Sequence, residues 1–161
     1  DFEFYAAIVV PLIRRVFNII PREPEKDKRK KNTDYTYNVP AYETNSIALV
    51  SWLQKSIGMS NSWSDREIPT LEKTEQKLGF FKGVVASLGR IYIYPDRTRM
   101  YILTRNLRFI QGLKIVSEEL GFSPMVGKSG TLLDYSKSDI QKMIRHDIFI
   151  NPYHINKLET I

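Results

Sequence analysis

Apolar positions recur along the chain with two different periods, and the switches between them mark out the elements. Residues 2–17 place Phe2, Tyr5, Ile8, Val9, Leu12, Ile13 and Val16 at three- and four-residue steps, which predicts an amphipathic helix that Asp1 can cap. Pro11 falls inside this pattern and predicts a kink or a break. A charged run from Glu25 to Lys31 follows Pro21-Arg22-Glu23-Pro24 and holds five basic residues in the six from Lys26 to Lys31. Tyr35, Tyr37 and Val39 alternate with Thr36 and Asn38, a short strand that puts the charged run at a hairpin tip. Thr44 or Asn45 then caps a helix with Ile47, Val50, Leu53 and Ile57 as its stripe and Gly58 past its end. Residues 59–70 are polar and close on Pro69, a connector.

The second half repeats this grammar. Glu72 to Leu88 is helical by period, with Gly83, Ala86, Ser87 and Gly89 set among Phe80, Phe81, Val84, Val85 and Leu88. Small residues on a helix let another backbone approach closely, so this helix is expected to pack against a second helix that covers Gly83, Ala86 and Ser87. Residues 90–94 alternate strictly: Ile91 and Ile93 face one side, Arg90, Tyr92 and Tyr94 the other. Pro95-Asp96-Arg97-Thr98 is turn chemistry, and Arg99 to Thr104 returns as a strand. Asn106 caps a helix with Leu107, Ile110, Leu113, Val116 (or Ile115) and Leu120 inward, and Gly121 ends it. Met125-Val126, a turn over 127–130 and Thr131 to Tyr135 form a second hairpin. Ser136 or Ser138 caps a last helix through Ile140, Met143 and Ile144, and residues 148–161 show no clear period.

The two halves echo each other. Asp1 to Pro21 and Asn106 to Pro124 are each a capped helix ending in an apolar residue and then a proline. If they are repeats, the first lacks its opening helix and hairpin, and the chain, beginning at Asp1 inside a periodic segment, reads as the continuation of something longer. The fold class is α+β, in two related αββαββα halves with the first N-terminally incomplete: residues 1–70 as the first repeat plus connector, and 71–161 as the second.

Composition narrows the chemistry. With 24 Lys+Arg against 18 Asp+Glu the net charge is +6, a moderate excess that favours a polyanionic partner. Zero cysteines exclude disulfides and thiolate metal sites, and His146 and His154 alone cannot build a histidine-rich one. The longest apolar stretch, Tyr5 to Leu12, is broken by Pro11 and followed by Arg14 and Arg15, far short of the ~18 residues a membrane span needs. There is no phosphate-binding glycine loop, no GxSxG and no HExxH.

The segment Phe81-Lys82-Gly83-Val84-Val85-Ala86-Ser87-Leu88-Gly89, running directly into an alternating strand, resembles the LAGLIDADG helix of homing endonucleases. Ile68-Pro69 before it, the helix ending in Leu120-Gly121-Phe122, and Thr44 to Leu53 as a closing helix of the preceding repeat agree in order. The resemblance implies two such helices packed at a pseudo-twofold axis, with curved sheets forming a saddle over the DNA major groove. Each helix of the family brings one acid to its foot to hold a divalent metal against a phosphate. The matching position here is Leu88, and the preceding acid of the signature is Ala86. Leucine cannot ligate a hard cation. The resemblance therefore implies no catalytic residue, no resident metal and no competent endonuclease in this chain, with magnesium entering only if a site is completed elsewhere.

The binding residues read from the sequence are Arg90, Tyr92, Tyr94, Arg97, Arg99, Tyr101 and Arg105, a stretch whose only acid is Asp96. Arginine clamps phosphates and reads guanine edges in a way lysine does not. Lys128 at the second hairpin turn and Lys28, Arg29 and Lys30 are expected phosphate contacts, adding affinity without sequence information. The expected partners are double-stranded DNA first and RNA second, the latter in a maturase-like or structural ribonucleoprotein role with Tyr92, Tyr94 and Tyr101 stacking bases. A third reading is an active or nicking enzyme whose preceding segment supplies an acid. A second LAGLIDADG-like helix is expected from a preceding segment, another polypeptide or a second copy, in an intracellular setting.

Overall fold

The computed structural model describes residues 4–21, 51 and 67–159. The chain divides into two compact units, Asp1–Ser51 and Trp52–Ile161. The repeat boundary read from the sequence, between residues 70 and 71, lies inside the second of these. Asp1, the charged run with Lys28, Arg29 and Lys30, the strand over 35–39 and, apart from Ser51, the helix over 44–57 lie outside the described residues.

In the first unit a π-helical stretch, Tyr5–Val9, continues into α1, Val10–Phe17. Pro11, where the sequence predicts a kink or a break, falls just after a change of helix type. The Val10 N–H reaches back to the Tyr5 carbonyl, a turn wider than an α-turn, and the helix then continues to Phe17. Asn18 ends α1 in the left-handed region at φ 53°, a conformation asparagine tolerates better than most residues.

The second unit runs α2 (Thr74–Leu88), β1 (Gly89–Ile93), β2 (Thr98–Leu103), α3 (Leu107–Glu119), β3 (Met125–Val126), β4 (Leu132–Tyr135), α4 (Lys137–Arg145) and α5 (Pro152–Leu158). It is α+β, with one antiparallel four-stranded sheet in the order β1-β2-β4-β3. The register pairs Arg90 with Tyr101 and Tyr101 with Asp134, and Ile91 with Met100 and Met100 with Tyr135. Ile91, Met100, Ile102, Leu133 and Tyr135 are fully or almost fully buried on one sheet face, where they meet Phe81 and Val85 of α2, Ile110 and Leu113 of α3, and Ile140 and Met143 of α4. The Tyr135 hydroxyl donates to Ser117 Oγ at 2.8 Å, because the Ser117 proton goes to the Leu113 carbonyl at 2.7 Å. Burial pushes the Tyr135 pKa upward.

Local chemistry sets the element ends. Asn106 Oδ1 accepts from the Phe109 N–H at 3.0 Å and starts α3. Gly121, at φ 85°, stops it, and Phe122 then turns into the core. Ser136, rather than Ser138, caps α4, and Asp139 answers it by accepting from the Ser136 hydroxyl and from the Ser136 and Ser123 N–H groups. Three apolar residues expected inward face water instead: Ile93, Leu107 and Ile144 are all exposed, since each lies at an element end that the core does not reach.

The small-residue helix departs most from expectation. Ala86 is buried, and Phe81, Val84 and Val85 pack into the core below α2. Gly79, Gly83 and Ser87, four residues apart, are exposed, and a Cβ on Gly83 would meet nothing within 4 Å. Gly89 is different. The strand begins with no loop after the helix, and a Cβ there would stand 2.5 Å from the Val85 carbonyl oxygen. We therefore expect Gly83→Ala to raise the melting free energy by roughly 0.5–1 kcal/mol through helix propensity. Gly89→Ala should lower it by about 1–3 kcal/mol, because backbone must move. Denaturant melts of the two variants beside the parent check both.

Residues 148–158, unassigned from the pattern, complete this junction. Asn151 and Pro152 are an N-cap and first-turn pair that start α5. Asn151 Nδ2 donates to the Ala86 carbonyl and His154 Nε2 meets the Gly89 carbonyl, each at 2.9 Å. A carbonyl only accepts, so Nε2 carries the proton, and the buried Nδ1 is left as a lone pair without a hydrogen-bond partner. Burial lowers the His154 pKa; the Gly89 hydrogen bond opposes this and Lys157 adds to it. The unfolded chain then takes up a proton before the folded one does. Stability should fall as pH drops below the ordinary value of 6.5 and level off below the folded value. His154→Gln should flatten that segment of a melting-temperature profile between neutral and acid pH.

Candidate nucleic-acid interface

Strand alternation sorts the binding residues by face. With Ile91, Met100, Ile102, Leu133 and Tyr135 turned to the core, their neighbours Arg90, Tyr92, Arg99, Tyr101, Leu103, Leu132 and Asp134 stand on the opposite face. Register builds rows across it: Leu103 beside Leu132; Arg90, Tyr101, Asp134 and Met125; then Tyr92 beside Arg99. Tyr94 follows β1, its N–H bonded to the Arg97 carbonyl at 2.8 Å to close the turn.

The tyrosines form one cluster. The Tyr92 and Tyr94 rings are parallel within 14° with centroids 6.4 Å apart, and Tyr101 lies 5.4 Å from Tyr92. Cations sit over these rings: the Arg97 guanidinium 5.1 Å from the Tyr94 centroid, and Lys157 Nζ 5.7 Å from that of Tyr92. Lys157 also lies 5.6 Å from the Tyr153 ring, so α5 contributes to this face. Its place here was hidden in the tail that shows no period.

Arg99 is not the unopposed cation the local sequence implies. Asp134, thirty-five residues on, stands beside it with Nη1 and Oδ1 3.6 Å apart, close enough for charge and too long for a hydrogen bond. Oδ1 is buried and has no hydrogen-bond partner. Desolvation raises the Asp134 pKa, while Arg99 and then Arg97 pull it back. An acid therefore lies within the basic face. Only β2–β4 pairing brings it there, so the run from Arg90 to Arg105 gives no sign of it.

The remaining expected contacts fall at the far end of the sheet. Arg105 is exposed just past β2, and Lys128 is exposed in the β3–β4 turn, which the Thr104 N–H joins through the Thr131 carbonyl at 3.0 Å. Arg97 lies at the opposite end, one β2 length or about 20 Å away at 3.4 Å per residue. Leu88 is the last residue of α2, half-buried against the core. Among the described residues, no group of three His, Asp or Glu could hold a metal ion. His146 ends α4 as its C-cap, exposed, with its ring 6.4 Å from that of Phe122.

Comparison of the chain with protein-family models, characterised proteins and solved structures finds no match to any of them.

Asp134→Asn should release Arg99 to phosphate. We expect tighter binding to nucleic acid of any sequence, with the slope of log affinity against log salt steeper by about one. A salt titration of parent and variant measures both.

Proposed function

We propose that this chain binds nucleic acid through the open face of the second unit's sheet, with duplex DNA as the partner, and that it descends from LAGLIDADG homing endonucleases. The supporting observation is the joining of Arg90, Tyr92, Tyr94, Arg97 and Tyr101 on the face turned away from α2, α3 and α4, with Lys157 added from α5. Arginines along an antiparallel sheet can reach base edges and flanking phosphates. The order α2 to α4, helix, hairpin, helix, hairpin, helix, supports the family reading, as does the passage of α2 into β1 without a loop. In this reading Gly79, Gly83 and Ser87 of α2 are where the family's second helix would pack, supplied by a preceding segment, another polypeptide or a second copy. Leu88 at the helix foot makes the chain a binding module without its own acid for phosphodiester cleavage.

Arg90→Ala and Arg97→Ala test this directly. Each should weaken duplex binding, and a guanine-edge contact should cost about 1–3 kcal/mol and relax specificity at one base pair. Neutralising Lys28, Arg29 and Lys30 together should weaken binding to all sequences alike and flatten the salt dependence. Fluorescence anisotropy at a fixed salt concentration reads each change, and unaltered affinity in every variant would remove the sheet face from the interface.

A further inference from the structure

Groove binding leaves the tyrosine cluster unexplained. A side chain entering the major groove of a duplex meets base edges, and the flat faces of paired bases are stacked on one another and closed to it. Yet Tyr92 and Tyr94 are 38% and 40% exposed, parallel within 14° and at the same edge of the sheet. Resting on the reading of this face as a nucleic-acid interface, we infer that its Tyr92–Tyr94 end takes unpaired bases, stacked on the tyrosine rings, beside whatever duplex the rest of the face holds.

Three observations converge on this ligand. Aromatic rings on an open sheet offer a π-surface to any base, and stacking is sequence-tolerant for that reason. The rings are oriented before binding, since Arg97 lies over Tyr94, Lys157 over Tyr92, and Tyr101 packs beside Tyr92. Little side-chain freedom then remains to be lost when a base arrives. The charge pattern gives the same orientation of the strand. The carboxylate of Asp134, in the middle of the sheet, opposes phosphate there, whereas Arg97 and Lys157 accept it at the β1 margin. A strand lying along β1 thus places its bases inward on the rings and its backbone outward on the cations. Unpaired bases of DNA and of RNA share this chemistry.

The experiment compares three probes with the full chain at one salt concentration: a blunt DNA duplex, that duplex with a single-stranded DNA extension, and the same with a single-stranded RNA extension. We expect an extension to raise affinity, and Tyr92→Ala and Tyr94→Ala each to remove about fivefold or more of that gain. Both should cost less on the blunt duplex than on the extended probe, and phenylalanine at either position should restore the gain, because it keeps the ring and loses only the hydroxyl. The extension that gains more, DNA or RNA, identifies the source. No gain from either extension, or equal losses on blunt and extended probes, would overturn the stacking inference while leaving the interface in place. Failure of the parent chain to bind any of the three would overturn the reading of the face itself.

Discussion

The passage from α2 to β1 decides which residues of β1 face the core. The helix becomes a strand at Gly89 with no intervening loop, and only the missing side chain lets the backbone pass so close to the Val85 carbonyl. A helix end arranged this way has carbonyls with no partner of its own. Asn151 and His154 come back from the end of the chain to satisfy those of Ala86 and Gly89. With the junction held from both sides, the phase of β1 is set. Ile91 must enter the core, and Arg90 and Tyr92 must leave it. A slip of one residue would exchange the two faces entirely.

The face so produced is not a uniform positive surface. The acid in the middle of the sheet, Asp134, is placed by long-range pairing and lies beside Arg99. The pair is half-buried and imperfectly bonded, and the desolvation of the carboxylate is offset by two guanidinium groups rather than by hydrogen bonds. Such an arrangement holds little net stabilisation and gives a sharp pattern of charge. Cations end up at the margins, at Arg97, Lys157 and, across the sheet, Arg105 and Lys128. Aromatic rings fill the β1 side between them.

What was legible in the sequence was local. Strand alternation at Arg90 to Tyr94, the Asn106 cap, the Gly121 stop and the hairpin at 125–135 each carry their own chemistry within a few residues, and all four stand in the structure near their expected places. The misses are tertiary. Periodicity does not say where a core ends, so it counts Ile93, Leu107 and Ile144 inward although each projects beyond its rim. Small residues on α2 signalled a close approach, but the approach at Ala86 is by Asn151, from a seven-residue helix too short to show a period. The Asn151-Pro152 pair was its one readable sign. In the candidate site, the alternating Arg and Tyr residues were visible along the strand, whereas Asp134 and Lys157 enter only through β2–β4 pairing and the return of α5.

We propose that nucleic acid lies on the sheet face turned away from α2, α3 and α4. Amide hydrogen exchange of the whole chain, with and without a saturating DNA duplex, tests it most directly, because it reports position without requiring any substitution. Nucleic acid on that face should slow exchange along Gly89–Leu103 and at the C-terminal end of α5, with the outer surfaces of α3 and α4 unchanged. Protection confined to α3 and α4, or the same exchange with and without DNA, would contradict it.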